Sequence, residues 1–304
     1  MSQYPFYCSE LSRRAAEKTY GTASVGDVWL LVEYPYEWKP KAFQESELAP
    51  EIKWYLSSII KTIPRARLLF IKQDRPRKEH LSLFVVRCRE SDPFILKFKL
   101  GQYRQLLDLD LASVAAGNLS GGGTITERPL YLVCTHGRRD KCCAKFGYPL
   151  YKSLKEMAGD FVWQSSHVGG DRFAANLVCF PHGLFYAHVT EGAGQRIITE
   201  YEQRRLALEN YRGRACYSYA IQAAEYFIRA ESGLTMLDEL RHVDCQRLDE
   251  KAWRVKFIAP GQGRVYEAEV TGRMSEFQNF ITCHASEEKS VIQYLLSRYR
   301  VSSD

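Results

Sequence analysis

Two short runs hold most of the reactive side chains of this chain: Cys134-Thr135-His136-Gly137-Arg138-Arg139-Asp140-Lys141-Cys142-Cys143, and His167-Val168-Gly169-Gly170-Asp171. Thiolates beside an imidazole make a soft donor set that suits an iron–sulfur cluster, zinc or copper. The two glycines let the second run curl tightly, because glycine enters left-handed backbone without a Cβ clash. His167 and Asp171 can then face one centre. The interval from Cys134 to Cys143 matches neither a zinc ribbon nor the usual ferredoxin cysteine run. Spacing alone leaves metal ligation and plain burial of the two thiols both open, since free cysteine packs as a small hydrophobe.

The elements around these runs predict where they sit. Residues 129–133 and 161–164 read as strands, one before each run. Between them Leu150, Tyr151, Leu154 and Met157 share one helical face, which predicts a helix over 148–158 and leaves 134–143 as a loop. Parallel neighbouring strands would bring both runs to the carboxyl edge of a sheet, where α/β folds place ligands. Downstream, 176–180 and 184–189 predict a hairpin around Pro181-His182-Gly183, followed by helices near 193–207 and 217–230. Upstream, residues 1–25 read as irregular, 28–34, 67–72, 81–88 and 93–100 as strands, and 50–62 as a helix. The small, glycine-rich stretch 115–124 reads as a linker. In the tail, 253–258 and 265–271 form a hairpin and a last helix lies near 287–298. The expected organisation is an N-terminal α/β domain over 1–115, a thioredoxin-like domain over 126–232 carrying the Cys/His site, and a C-terminal hairpin-and-helix extension over 236–304. Two α/β halves of similar size are compatible with an old duplication.

Composition narrows the class. The chain has 304 residues, 45% hydrophobic and 13% aromatic, which excludes a disordered or collagen-like chain. Its net charge of +6 is too weak to argue for nucleic acid. No apolar run approaches the roughly 18 residues of a membrane span, and the first residues lack a basic-then-apolar signal pattern, so a cytoplasmic protein with no membrane or nucleic-acid partner is expected. Nine cysteines, an odd number scattered along a long chain, argue against a disulfide framework, and in a reducing compartment clustered cysteines more often mean metal or redox chemistry.

The other candidates read as follows. His136 either tunes the site from behind the ligands or is a solvated loop residue. Arg138, Arg139 and Lys141 compensate an anionic centre or dock an acidic partner, unless the loop is simply solvated. Cys88 and Cys179 read as core, His188 as core within reach of the site, His182 as a polar turn residue, and Arg212 and Arg214 as helix-end or domain-packing charges or, alternatively, an anion site. Asp171 alternatively caps the turn that follows it.

Cys8-Ser9, Gly21-Thr22-Ala23, Trp29-Leu30-Leu31-Val32-Glu33 with Trp38, the run 134–143, HVGGDRFAANL from His167 and YRGRACYSYAIQAAEYFIR from Tyr211 follow one another in an order that resembles the sucrase/ferredoxin-like family, the thioredoxin-fold ferredoxins. The resemblance covers residues 8 to about 230, and the tail more weakly. It implies a [2Fe–2S] cluster on two cysteines and the two histidines of an HVGGH motif. Transferred residue by residue, the ligands are Cys134, Cys143 and His167, with Asp171 standing where the motif has its second histidine. Three readings of that departure remain: Asp171 ligates through oxygen, Cys142 supplies a third thiolate, or the cluster is lost or labile or the site holds another metal. If Asp171 ligates, its charge favours the oxidised cluster and lowers the potential below that of a bis-histidine relative.

The function expected is electron transfer rather than catalysis. An external reductase and acceptor are required, because no G-x-G-x-x-G follows a strand. The alternative is a metal-binding or thiol redox-sensing regulator, with Cys142-Cys143 reactive beside basic residues. A remote alternative, sucrose hydrolysis, needs two facing carboxylates, and nothing in the sequence pairs candidates such as Glu191 and Glu200.

Overall fold

The structure, a computed structural model, describes residues 6–74, 79–119 and 121–303. Residues 1–5 of the stretch expected to be irregular, and Ser120 of the expected linker, lie outside the described residues. The chain begins with a short helix, α1 (Cys8–Arg14), inside the segment expected to be irregular. A fully buried run then forms β1 (Val28–Glu33). Helix α2 (Pro50–Thr62), with Pro50 at its first position, crosses over to β2 (Ala66–Lys72), parallel to β1. Proline is pre-set for that position because its missing N–H has no helical partner there. Strands β3 (Leu81–Arg87) and β4 (Phe94–Leu100) return antiparallel, followed by α3 (Leu111–Ala116) and a two-residue strand β5 (Thr124–Ile125).

The same sequence of moves is then repeated. Strand β6 (Leu130–Cys134), helix α4 (Lys141–Ala158) and strand β7 (Val162–Ser165) make a second parallel crossover. Strands β8 (Leu177–Phe180) and β9 (Leu184–Tyr186) return antiparallel before α5 (Glu191–Glu202), β10 (Tyr211–Arg214) and α6 (Tyr219–Ser232). The spatial order β4-β3-β1-β2 of the first half equals the order β9-β8-β6-β7 of the second. That order of two parallel and two antiparallel strands is the thioredoxin-like layer the resemblance implies. The halves join edge to edge where β2 pairs antiparallel with β7 at Ile71–Ser165 and Lys72–Gln164, giving one ten-stranded sheet of mixed α/β architecture.

Two further sequence expectations are corrected. Helix α4 starts at Lys141, not at 148, so Cys142 and Cys143 stand in its first turn rather than in a loop. Pro149 reads as a first-turn residue, but the real cap is Asp140, whose carboxylate accepts the Cys142 N–H at 2.9 Å. The tail has no final helix. It is a four-stranded antiparallel sheet of β11 (Arg241–Asp249), β12 (Ala252–Ala259), β13 (Arg264–Met274) and β14 (Ile292–Ser303). The register slips by one residue at Ser297, since Glu269 faces Arg298 while Val270 faces Leu296. Such a bulge breaks the period of two. Tyr294, Leu296 and Tyr299, which pack on one apolar cluster, thereby fall at intervals of two and three instead of strict alternation. Among the described residues no helix is long and apolar enough to cross a membrane.

Candidate metal centre

The parallel pair β6–β7 ends with Cys134 directly opposite Ser165, so both reactive runs leave the same edge of the sheet. After the first run the Asp140 cap starts α4 at once and sets Cys143 back against Cys134. Both residues are almost wholly buried. The helix reaches that close only because residue 147 is glycine: a Cβ there would stand 2.1 Å from the Cys134 carbonyl oxygen.

The second run is bent by Gly169 and Gly170, both at positive φ of 97° and 84°. Its three successive carbonyls are each held. Ser24 Oγ donates to Val168 O at 2.7 Å, Arg212 Nη1 to Gly169 O at 3.0 Å, and Asn176 Nδ2 to Gly170 O at 2.9 Å. Folded in this way, the loop turns His167 and Asp171 to face each other, with Nδ1 3.0 Å from Oδ1.

The structure thus brings together all four residues singled out by the resemblance. One donor atom each from Cys134, Cys143 and His167 lies within 4.8 Å of the other two. Asp171 stands against two of them, its Oδ1 3.8 Å from Cys143 Sγ. Despite the short contact with Asp171, His167 Nδ1 is a buried nitrogen without a directed hydrogen bond. Asp171 opens a short 3₁₀ turn, Asp171–Phe173, but Gly170 holds the cap position, so the carboxylate is free to face His167.

The electrostatics follow from the same contacts. Burial opposes the charged form of His167, but Asp171 and Cys134 together outweigh it and lift the imidazole to about 9. The two thiols act as a unit. The Cys143 hydrogen bond holds Cys134 well below the ordinary thiol range, and sharing with Cys134, followed by burial, pushes Cys143 well above it.

Sequence reasoning missed the support behind the loop. Arg212 is 1% exposed and donates to Thr22 Oγ1 and O, Gly169 O and Asn176 Oδ1. Burial drops its guanidinium to about 9. It stacks over Phe173 and Phe185, and among the described ion pairs it has no carboxylate. It is a buried cation behind the site, and the only sequence signal was its place in the Tyr211-Arg212-Gly213-Arg214 motif. Arg214 does pack as expected, paired with Glu225 at 3.2 Å.

The remaining candidates separate from the centre. His136 is buried, with Nε2 2.9 Å from Lys39 O and its ring edge-on to Trp38. It lies behind the thiols and is not a solvated loop residue. Arg138 reaches across to Glu37 of the first half at 2.7 Å. His188 packs against Ser9, Ser12 and Phe173, away from Cys134. His182 is buried against Tyr201 rather than exposed at its turn. Cys142 turns away from Cys143 toward Cys8 and Cys283. Glu200 is taken up by Arg205.

Fold and site together define a mixed α/β protein with a buried cluster of thiol, imidazole and carboxylate groups able to bind metal. A family model described as sucrase/ferredoxin-like matches residues 19–213, more than half of the chain, and the chain belongs to that family. Neither the curated proteins nor the solved structures give a match.

Proposed function

We propose that this protein is an electron carrier that holds a [2Fe–2S] cluster on Cys134, Cys143, His167 and Asp171. The observation that carries the reading is the donor set: two thiols side by side, and an imidazole nitrogen 3.0 Å from a carboxylate, at the edge where two parallel strands end. A bound cluster would supply one-electron chemistry, the cofactor's own contribution. The chain's part is to hold the donors, set the charge and control access.

The donors are pre-placed by the Asp140 cap, by Gly147 and by the three pinned carbonyls of the 168–170 turn. Arg212 places a buried positive charge behind the anionic donors. His167, a quarter exposed, opens onto a groove of about 520 Å³ lined by Lys41, Phe43, Leu68, His136 and Arg139. Its basic rim suits an acidic reductase or acceptor, because complementary charge raises encounter rates. Asp171 in place of a second neutral imidazole favours the oxidised state.

The test is iron, acid-labile sulfide and a redox titration on protein purified without air. The reading predicts about two irons per chain and one reversible one-electron couple. In Asp171→His that couple should rise by on the order of 100 mV, in the direction of bis-histidine centres. Protein without iron, or a couple that Asp171→His leaves in place, overturns the reading.

A further inference from the structure

On the opposite side of α4's first turn lies a second group of sulfurs that the electron-carrier reading does not use. Cys8 Sγ is 3.6 Å from Cys142 Sγ, Cys142 Sγ is 3.3 Å from Cys283 Sγ, and Cys283 Sγ is 3.6 Å from Cys8 Sγ. These separations are too long for disulfides, whose bond is about 2.0 Å. Asp140 completes the group, its oxygens 3.8 and 3.9 Å from Cys8 Sγ. One donor atom from each of the four residues lies within 4.8 Å of the other three. Cys8, Cys142 and Asp140 are fully buried and Cys283 is half-buried.

We infer that Cys8, Cys142, Cys283 and Asp140 form a second metal site, one that binds a single zinc-type ion in a closed tetrahedral cage. The donor set is three sulfurs and one oxygen, soft enough to favour zinc over magnesium or calcium. At a zinc–sulfur distance of about 2.3 Å a tetrahedral site spaces its sulfurs about 3.8 Å apart, so the group needs to widen by only a few tenths of an ångström. Four protein ligands leave no open position, which marks a structural site rather than a catalytic one.

The surroundings are built for thiolates. The Cys8 N–H points at Cys283 Sγ at 3.5 Å, and the Ser9 N–H at Cys142 Sγ. The Cys283 and Cys142 N–H groups donate to the two oxygens of Asp140, at 2.7 and 2.9 Å, and so orient the carboxylate. The amino end of α4 points into the group, where its dipole favours negative charge. Lys141 and Lys145 stand over the Tyr7 ring next to Cys8, at 4.8 and 3.5 Å.

Three remote segments meet here. Cys8 opens α1, Cys142 belongs to α4, and Cys283 lies in the connection between β13 and β14. An ion at this point fastens the start of the chain and the tail sheet onto the helix that presents Cys143. Successive helical residues diverge by about 100°, so Cys142 and Cys143 serve two separate centres from adjacent positions.

The test is elemental analysis of the full chain, with zinc and iron counted separately. We expect about one zinc per chain. It should persist in the Cys134→Ser/Cys143→Ser double variant, in which iron is lost, and should disappear in Cys283→Ser. To keep the test independent of how Cys283→Ser folds, the double variant is also loaded with cobalt(II), which should show thiolate-to-metal bands and a tetrahedral ligand field. Zinc unchanged in Cys283→Ser, no zinc or tetrahedral cobalt in a chain that has both other thiols free, iron in place of zinc in the double variant, or a native disulfide among the three cysteines would each overturn the site. Loss of iron alone leaves this inference standing and strikes only the electron-carrier reading.

Discussion

The two halves of the ten-stranded sheet have the same strand order and the same parallel crossover, yet their carboxyl edges carry different things. In the second half Cys134, Cys143, His167 and Asp171 converge at the ends of β6 and β7. In the first half the matching edge, at the ends of β1 and β2, is filled by rings. Tyr34 stacks on Phe70 at 4.5 Å, and Tyr36, Phe43 and Tyr103 pack around the pair. The backbone arrangement is shared, and the chemistry is set by which side chains stand at its edge. The aromatic half also serves the other. Lys39 O faces His136, Glu37 holds Arg138, and Ser166 at the start of the second loop accepts the Phe70 N–H at 3.0 Å. The first layer walls the candidate centre in the second.

The sharpest break of this contrast is Cys143→Ser. It should abolish iron content while the far-ultraviolet spectrum stays native, whereas Cys88→Ser, at an equally buried thiol outside the site, should leave iron unchanged. Next in size is Gly147→Ala. The new methyl meets backbone, not a flexible side chain, so the helix must back away from Cys134. We expect a loss of about 3 kcal/mol or more in urea unfolding, together with most of the iron. Arg212→Met removes the donors that hold Gly169 and Asn176. A cost of about 2–3 kcal/mol is expected, and iron release to a chelator should quicken before the protein unfolds.

Much of this contrast was legible in the sequence. Each apolar run became its strand, and the parallel β6–β7 pair brings the two reactive runs to one edge as their positions implied. The start of α4 was hidden because Pro149 imitates a helix start while Asp140, the true cap, lies inside a charged run. Strand β14 was hidden by a bulge that shifts its alternation. Arg212 was read only as a packing charge; its hold on the loop stayed hidden, because it depends on Thr22, Gly169 and Asn176 meeting only in the folded chain. The same holds for Cys8 and Cys283, which stand at opposite ends of the sequence.

Smaller effects sharpen the picture of the second half. Burial, reinforced by Arg214 and Arg204, holds His182 near 3, against about 6.5 for a free histidine. Between those values the unfolded chain takes up a proton that the native chain refuses. The contribution is therefore complete above about pH 6.5 and is lost as pH falls toward 3. Urea melts at pH 7 and pH 4 should differ by about 2 kcal/mol or more from this group, and His182→Asn should flatten the difference. Smallest of all is Arg138→Gln. The Arg138–Glu37 pair is exposed and contributes under about 1 kcal/mol to stability. The expected change is instead a slower reaction with an acidic redox partner at low salt, with the difference vanishing as salt is raised.

The central claim is that one imidazole, His167, and no second one binds the cluster. Nitrogen-sensitive pulsed electron paramagnetic resonance on the dithionite-reduced protein tests it most directly. The account predicts a half-spin signal with strong coupling to a single nitrogen, lost in His167→Cys and doubled in Asp171→His. A signal with no strongly coupled nitrogen, or none from protein shown to be reduced, would contradict it.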